Sequence, residues 1–354
     1  MPITAHRPAE NPILTPAMVT PSHPDLEVVG VFNPAAVRVG DETILLLRVA
    51  EAPHHATREI AVPSYDVTTG RVDVRRWGLD TPGLDTSDPR LVSVEGHTWL
   101  TSISHLRVAR SHDGVRFVVD PAPALASATL YEAFGVEDAR ITRIDDTYWI
   151  NYTAVSTLGI ATALASTRDF HTFTRHGVIF PPNNRDVTIF PERLGGRYVA
   201  LHRPMPSGIG EPAIWIAASD DLRAWGDHRF VAGSRAGMWD DEKIGGGAVP
   251  FRVRWRGRDA WLAVYHGVTR PNRYSLGALL LDGDDPSRVL ARSPEPILAP
   301  EAPYEREGFF GGVVFTCGLV VDDDLVRVYY GAADGVTALA DLSLDAILSS
   351  VQET

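Results

Sequence analysis

Two acidic residues are each followed, two positions later, by an arginine, in the pairs Asp88 with Arg90 and Asp138 with Arg140. Side chains two positions apart point to the same face of a β-strand, so the arginine can hold the carboxylate in place. Such a pair is often only a structural ion pair. At Asp138, the neighbouring Glu137 and the preceding aromatic and glycine residues crowd the carboxyl group, which predicts a raised pKa. We therefore interpret Asp138 as the candidate general acid.

A second set of side chains can bind an anion. Taken singly, each of these residues is more often solvated or structural than functional. If they converge on one cavity, however, their like charges repel unless an anion lies between them, which predicts a phosphate or carboxylate ligand. The set occupies successive strand-like segments and consists of Arg185, Arg203, Lys243, His266 and Tyr274.

A third set of residues suits a sugar. Asparagine, aspartate and arginine side chains bind vicinal hydroxyl groups, and aromatic neighbours contact the apolar face of the ring. Asn33 and Arg48 lie at the two ends of the first predicted hairpin, and Asp334 follows the last one. Each signal is weak alone, because Asn-Pro is a common turn and Asp334 can simply end a strand.

The framework that has to position these side chains is predicted to consist of β-hairpins. Short apolar runs alternate with Gly or Asp turns, as in antiparallel strands. Repetition at a period of 50–66 residues predicts an all-β fold, a β-propeller, whose first strand in each blade lines the central axis. The turn residues of the six hairpin units are Gly40, Gly96, Asp146, Gly196, Gly257 and Asp323.

Other architectures fit less well. A β-sandwich rarely shows such self-similarity, and an α/β fold needs long amphipathic helices that the sequence lacks. One short helix is predicted near the C-terminus, where Ser343 can cap the segment LDAILSS. Since no linker stands out, residues 1–354 are predicted to form a single β-propeller domain.

Composition narrows the class of protein. The 33 basic and 45 acidic residues give a net charge of −12, which argues against a nucleic-acid or anionic membrane partner. The single cysteine, Cys317, excludes an internal disulfide and a multi-cysteine zinc site. No apolar run reaches the roughly 18 residues of a transmembrane helix, and the first residues do not read as a secretory signal. These features predict a globular cytoplasmic protein.

Six sequence blocks carry a family resemblance: FNPAAV, GVEDARITRIDDTYWINYTA, DVTIFPERLGGRYVALHRP, WDDEKIGGGAVP, VYHGV, and VVFTCG with VYYGAAD. In this order, from about Asn11 to Leu348, they resemble glycoside hydrolase family 130. The resemblance implies a five-bladed propeller and an inverting phosphorylase of β-mannosides. The segments SDPRLVSVEGHTWLTSISHLRVARS and REGFFGGVVFTCG are similar to the β-1,2-oligomannan and β-1,2-mannobiose phosphorylases. Because five blades are implied but six hairpins are present, the hairpin beginning at Asp88 is either an added ribbon or a reshaped blade.

The resemblance also implies roles for the candidate residues. Asp138 matches the general acid, although the family usually has proline where this chain has Ala139. Asp186 stands where β-1,4 members more often have asparagine; we assign it, with Asp88 and Arg140, to substrate binding. The implied phosphate-binding residues are Arg185, Arg203, Lys243 and His266, with Tyr274 as an additional donor, and those implied to hold the mannosyl unit of the −1 subsite are Asn33, Arg48 and Asp334.

The residue types favour one reaction over two alternatives. Inverting hydrolysis needs an acid and a second carboxylate as base, whereas phosphate is already an anionic nucleophile. Cations at positions 185, 203 and 243 therefore predict phosphorolysis of a β-mannoside to α-mannose 1-phosphate, with phosphate as co-substrate and no metal or organic cofactor. The alternatives are a β-mannosidase with Asp88, Glu137 or Asp186 as base, and a non-catalytic glycan-binding propeller.

Three loops are predicted to set the linkage preference and the accepted chain length. They are Pro53–Tyr65, Ser207–Glu211 and Tyr304–Phe310. A homo-oligomer is a further expectation, because relatives commonly self-associate.

Overall fold

The computed structural model of the protein describes residues 3–54 and 57–353. Residues 55 and 56 of the predicted loop Pro53–Tyr65, and residues 1, 2 and 354 of the predicted domain, lie outside the described residues. Five antiparallel sheets form the blades of a propeller. The prediction of an all-β, five-bladed β-propeller is confirmed.

Blade 1 has the strand order β1-β2-β7-β8, and the chain between its second and third strands forms two separate hairpins. We call these hairpins ribbon A, which pairs β3 with β4, and ribbon B, which pairs β5 with β6. The strands are β1 (Leu26–Val39), β2 (Glu42–Pro53), β3 (Glu59–Asp66), β4 (Arg71–Gly78), β5 (Leu91–Val94), β6 (His97–Leu100), β7 (Ile103–Ser111) and β8 (Val118–Val119).

Blades 2 and 3 are four-stranded meanders, in which each strand pairs with the next along the chain. A short 3-10 helix, Leu130–Glu132, precedes blade 2. The strands are β9 (Val136–Ile144), β10 (Thr147–Ser156), β11 (Gly159–Thr167), β12 (Thr174–Phe180), β13 (Asn184–Ile189), β14 (Tyr198–Pro204), β15 (Ile214–Ser219) and β16 (Gly226–Ala232).

Blade 4 is extended by the chain end, and blade 5 has three strands. The remaining elements are β17 (Lys243–Gly246), β18 (Phe251–Trp255), β19 (Arg258–Thr269), β20 (Arg273–Asp282), β21 (Val289–Arg292), α1 (Pro303–Arg306), β22 (Val314–Asp322), β23 (Leu325–Ala332), β24 (Val336–Ser343), α2 (Leu344–Ser350) and β25 (Gln352–Glu353), with a further 3-10 helix at Pro16–Met18. The predicted C-terminal helix is confirmed as α2, and the Ser343 hydroxyl accepts a hydrogen bond from the Ala346 amide.

Apolar cores lie between neighbouring blades, and they explain the uninterrupted apolar runs. In β2, Leu45 and Leu47 pack toward blade 5, whereas Ile44 and Leu46 pack toward blade 2. A strand covered on both faces has no solvent side and therefore needs apolar residues at successive positions. This packing stacks the blades around the axis.

The chain segment before β1 joins the last blade. His6 and Leu14 form bridges with Asp341 and Thr337 of β24. The Asn11 side chain donates a hydrogen bond to the carbonyl of Leu339 at 2.7 Å and accepts one from its amide at 2.9 Å. Residues from both ends of the described chain thus meet on blade 5, next to blade 1.

One of the six predicted hairpins is not part of a blade sheet. The hairpin that turns at Gly96 is ribbon B, an insertion within blade 1, which decides the question that the sequence left open. The segment around Asp88 is a loop before β5, so the strand geometry expected for the pair Asp88 and Arg90 is wrong. Within the described residues, no helix is long and apolar enough to cross a membrane.

Candidate active site

The innermost strands of blades 1, 2 and 3 share a β-bulge that turns one polar side chain toward the axis. The pairing register shifts around Asn33, Asp138 and Asp186, and these residues have φ values of 47°, 48° and 55°. Asparagine and aspartate adopt this left-handed conformation more readily than other residues with a side chain. The residue type at each bulge therefore serves both the backbone and the site.

A cavity of ≈ 550 Å³ lies where these bulges meet. It is open to the surface at one end, where residues of both ribbons and Phe309 and Phe310 contribute to its wall. Ten of the twelve residues predicted from the sequence line this cavity: Asn33, Arg48, Asp138, Arg185, Asp186, Arg203, Lys243, His266, Tyr274 and Asp334.

Asp138 lies at the centre of a hydrogen-bonded group and is only 8% exposed. Its Oδ1 accepts a hydrogen bond from Asn33 Nδ2 at 2.9 Å and one from Arg48 Nη1 at 3.1 Å. Burial alone would raise the pKa of Asp138, but the charges of Arg48 and Arg140 and the Asn33 amide outweigh it. The pKa of Asp138 is therefore lowered, and the raised pKa predicted from crowding is not found, because the sequence did not show which guanidinium groups fold against the carboxylate.

Glu137 lies between two arginines of the cavity, Arg48, which also binds Asp138, and Arg185. Arg48 Nη2 donates a hydrogen bond to Glu137 Oε1 at 2.8 Å, and Arg185 Nη2 lies 3.8 Å from Glu137 Oε2. The Arg48 guanidinium also lies over the Phe32 ring, 4.6 Å from its centroid. The Glu137 carboxylate is therefore already paired with two arginines.

Asp186 pairs with Arg203 in the wall of the cavity. Arg203 Nε donates a hydrogen bond to Asp186 Oδ2 at 2.6 Å, and Arg140 Nη2 lies 3.5 Å from Asp186 Oδ1. Burial opposes the charge of Asp186, but the cations, Arg203 first, hold its pKa far below the usual range. The close approach requires a glycine at position 245, where a Cβ atom would collide with Asp186 and His266 and lie 2.7 Å from Arg203 Nε.

His266, Tyr274 and Lys243 form the neighbouring wall. The His266 and Tyr274 rings stack with centroids 6.0 Å apart, and Lys243 Nζ lies 5.1 Å from the centroid of Tyr274. Burial lowers the pKa of His266 to about 3, although Asp186 opposes the shift. At neutral pH, His266 is therefore a hydrogen-bonding group and not one of the cations.

Asp334 is a further carboxyl group in the cavity wall. It follows β23 and has a φ of 50°. Burial raises the pKa of Asp334 to about 6, although the positive charge of Arg48 opposes the shift. Near pH 6, this carboxyl group can therefore change between a hydrogen-bond donor and an acceptor.

Carboxylates of the protein itself balance part of the positive charge of the arginines. The sequence prediction required an external anion to relieve repulsion, but Glu137 and Asp186 already lie among the cations. Hydrogen-bonding atoms nevertheless remain unpaired: among the described residues, the buried donor Arg185 Nε and the ring nitrogen His266 Nδ1 have no hydrogen-bond partner. The site can thus accept an anion by the unpaired donor of Arg185 as well as by its charge.

Asp88 and Arg140 do not line the cavity. Asp88 Oδ2 accepts a hydrogen bond from Arg90 Nη2 at 2.8 Å, and it is Arg90 that reaches the cavity wall, over the Phe310 ring. Arg140 is buried and donates to the carbonyls of Gly246, Gly247 and Asp138. Their positions favour supporting roles, and their predicted substrate contacts stay untested.

Sequence reasoning gave no site role to Arg90 and placed Glu137 only as a possible base. Arg90 had a usable signal, since it follows Asp88 by two positions in the pattern that identified Asp138. The aromatic wall, which includes Phe32, Phe310 and Phe315, had no signal beyond residue type.

The axial cavity of this five-bladed propeller combines a buried carboxyl group with arginines and a lysine, groups that can supply a proton and bind an anion, as in the active site of an enzyme. The model of glycoside hydrolase family 130, described as beta-1,4-mannooligosaccharide phosphorylase, matches residues 100–353. The chain is 45% identical over 352 residues to a beta-1,2-mannobiose phosphorylase from Listeria innocua, covering 98% of both sequences. The chain therefore belongs to glycoside hydrolase family 130.

Two further comparisons agree with this membership. A 1,2-beta-oligomannan phosphorylase from Thermoanaerobacter is 40% identical, over 68% of this chain and 79% of its own length. The solved structure of a Listeria innocua beta-1,2-mannobiose phosphorylase in complex with beta-1,2-mannobiose superposes with a TM-score of 0.94 at 44% identity, covering 98% of this chain and 99% of that one.

Proposed function

We propose that this protein is an inverting phosphorylase that transfers a mannosyl unit from a β-1,2-linked mannobiose or oligomannan to inorganic phosphate. The similarity to relatives named for these substrates supports the choice of linkage. The products are α-mannose 1-phosphate and the acceptor shortened by one unit.

The state of the carboxylates carries the proposal. A hydrolase needs a second carboxylate that is free to deprotonate water. Glu137 is hydrogen-bonded to Arg48, and Asp186 is bound to Arg203 with its pKa held far below the usual range. Asp186 is therefore a weak base, Glu137 is already engaged by Arg48 and Arg185, and Asp88, the third candidate, lies outside the cavity wall. The arrangement favours phosphate over water as the nucleophile.

Each group of residues has a distinct task in the proposed reaction. Arg185, Arg203 and Lys243 hold phosphate and orient it, with neutral His266 and Tyr274 as further donors. A phosphate oxygen forms the bond to C1 of the mannosyl unit while the glycosidic C1–O bond breaks. The leaving oxygen takes a proton from Asp138, directly or through a mannose hydroxyl group. The proton that hydrogen phosphate releases then returns Asp138 to its protonated form.

Phosphate also prepares Asp138 for its task. In the protein without ligand, the charge of Arg185 contributes to the lowered pKa of Asp138. A phosphate anion bound at Arg185 offsets this charge and raises the pKa of the carboxyl group. Binding of the nucleophile thus favours the protonated acid.

The deciding experiment incubates the protein with β-1,2-mannobiose in the presence and absence of phosphate. We expect mannose 1-phosphate to form only with phosphate, and little free mannose to appear without it. Release of two mannose molecules in phosphate-free buffer would instead identify a hydrolase. Binding of the sugar without turnover in either buffer would identify a glycan-binding propeller.

Several predictions from the sequence stay predictions. They concern the single domain over residues 1–354, the cytoplasmic location, self-association, and a reaction that uses phosphate as co-substrate without a metal or organic cofactor. That Asn33, Arg48 and Asp334 hold the mannosyl unit is also part of the proposal.

A further inference from the structure

A second cleft, of ≈ 360 Å³, lies beside the axial cavity. One wall is residues 96–100 of ribbon B, and the other is Phe134 with residues 155–157 and Gly159, at the turn between β10 and β11. We call it the distal cleft. Ribbon B is one of the two insertions that distinguish blade 1 from the other four-stranded blades, so one wall of the cleft is an addition to the propeller framework.

The distal cleft adjoins the axial cavity. Leu100 and Val155 line both spaces. A linear molecule that reacts in the axial cavity can therefore extend past these two side chains without leaving the protein surface.

The wall of the distal cleft has the composition of a sugar site. Two contacts hold Trp99 in place. Its ring makes an edge contact with Phe134, with 5.7 Å between the ring centroids, and the Arg75 guanidinium lies over it, 4.6 Å from the centroid of the Trp99 ring. A fixed indole offers a large contact area at small entropic cost. The exposed rim carries the imidazole of His97 and the hydroxyl groups of Thr98 and Thr157, so an apolar wall faces hydroxyl-binding groups.

We propose that the distal cleft binds the acceptor-side mannosyl units of β-1,2-linked oligomannans that are longer than the disaccharide. This inference rests on the proposed function. A neutral sugar fits better than a charged ligand, because the residues that line the cleft include no Lys, Arg, Asp or Glu among the described residues. The enzyme accordingly gains affinity for longer chains through contacts that mannobiose does not reach.

The inference is tested by comparing kcat/KM for mannobiose and for chains of three to five units at saturating phosphate. Trp99→Ala removes the aromatic wall, and Thr157→Trp obstructs the cleft from the opposite side while leaving ribbon B intact. In both variants, we expect kcat/KM for mannobiose to stay within about twofold and that for four- and five-unit chains to fall about fivefold or more. Trp99→Phe should restore part of the loss. Thr172→Trp, at an exposed position beyond the other end of β11, serves as the matched control.

The possible failures are distinguishable. If the wild-type protein forms no mannose 1-phosphate, the proposed function fails, and calorimetric binding of the same chains to Asp138→Asn still reports on the cleft. If the wild-type protein is active but Trp99→Ala and Thr157→Trp affect all chain lengths equally, the inference is wrong. A uniform loss that accompanies a change from dimer to monomer in light scattering would show that a second copy of the chain occupies the cleft.

Discussion

Asp138 combines two properties that usually oppose each other in a general acid. It is buried, which favours the neutral form, yet Arg48, Arg140 and Asn33 favour the ionised form. A carboxyl group in these surroundings depends on the other occupants of the cavity for its proton. The chemistry of the site is thus a property of the group of residues and not of one side chain.

Replacing Asp138 by asparagine keeps the size and the left-handed backbone of this residue but removes the transferable proton. We expect kcat for phosphorolysis to fall by about 10²- to 10⁴-fold, while the phosphate concentration at half-saturation changes little. Steady-state kinetics with mannobiose measures both quantities. Retention of a single cooperative unfolding transition is the control, because losing a carboxylate whose pKa is lowered in the folded state reduces the melting temperature. Near wild-type turnover would exclude Asp138 as the acid.

We expect Asp334→Asn to raise the stability of the protein at pH 8 and to lower its activity. The folded protein holds the pKa of Asp334 at about 6, above the usual 3.8, so ionising this group destabilises the folded state. This cost is absent below about pH 4, grows as the pH rises, and is complete above about pH 6. The variant, which cannot ionise, should therefore melt about 1–3 °C higher than the wild type at pH 8 and equally at pH 4.

Calorimetry at the two pH values checks this prediction for Asp334, and a lower melting temperature of the variant at pH 8 would contradict it. Phosphorolysis by the same variant should decrease, because an amide cannot replace the carboxylate as a hydrogen-bond acceptor on both oxygens.

At the scale of secondary structure, the site depends on irregularities in the strands. The bulges at Asn33, Asp138 and Asp186 interrupt β1, β9 and β13 where each passes the axis. In a regular strand, neighbouring side chains alternate between two faces that the adjoining blades cover. The bulge supplies the additional direction, toward the cavity.

Strand β17 of blade 4 contributes by having no side chain at Gly245. Gly245→Ala places a methyl group against Asp186, His266 and Arg203, so these side chains have to move. We expect the half-saturating phosphate concentration to rise on the order of tenfold or more, since small displacements of positioning groups have large kinetic effects. Phosphate titration of the activity measures the change.

Gly226→Ala, in β16, is the matched control for Gly245→Ala, because an added Cβ atom there meets nothing within 4 Å. Equal phosphate dependence in the two variants would show that the close approach at Gly245 has no role in the site.

At the scale of the whole molecule, the propeller has to stay closed for its axis to be a binding site. The segment before β1 binds to β24, so blade 5 holds residues from far apart in the sequence. Opening between blades 1 and 5 would separate Asn33 and Arg48 from Asp334. Ring closure is therefore a condition for the composition of the cavity.

Asn11→Ala weakens this closure without touching the cavity. The variant loses both hydrogen bonds to the backbone of Leu339 and leaves two backbone groups in need of other partners. We expect a loss of about 1–3 kcal/mol in the free energy of unfolding, with unchanged kcat at low temperature. Denaturant unfolding and kinetics at 25 °C check both parts, and a change in kcat without a change in stability would contradict the assignment.

The sequence by itself determined the repeating framework and ten of the polar residues that line the cavity. Hairpins recur because each blade needs the same alternation of apolar strands and polar turns, so the fold leaves a periodic trace in local residue types. The family blocks contain seven of the ten predicted cavity residues, among them Asp138 and Arg203, because these residues lie in continuous motifs. The hairpin count, in contrast, could not tell a blade from ribbon B, since both have the same local pattern.

Only the tertiary structure decided which charges meet. The pairing of Asp138 with Arg48, the lowered pKa of Asp138 and the raised pKa of Asp334 depend on distances between residues that different blades contribute. Coulombic and desolvation energies vary with separation and depth of burial, and neither quantity is encoded in the spacing of residues along one strand. The residue types therefore defined the available chemistry, and the closure of the ring set the ionisation state of each group.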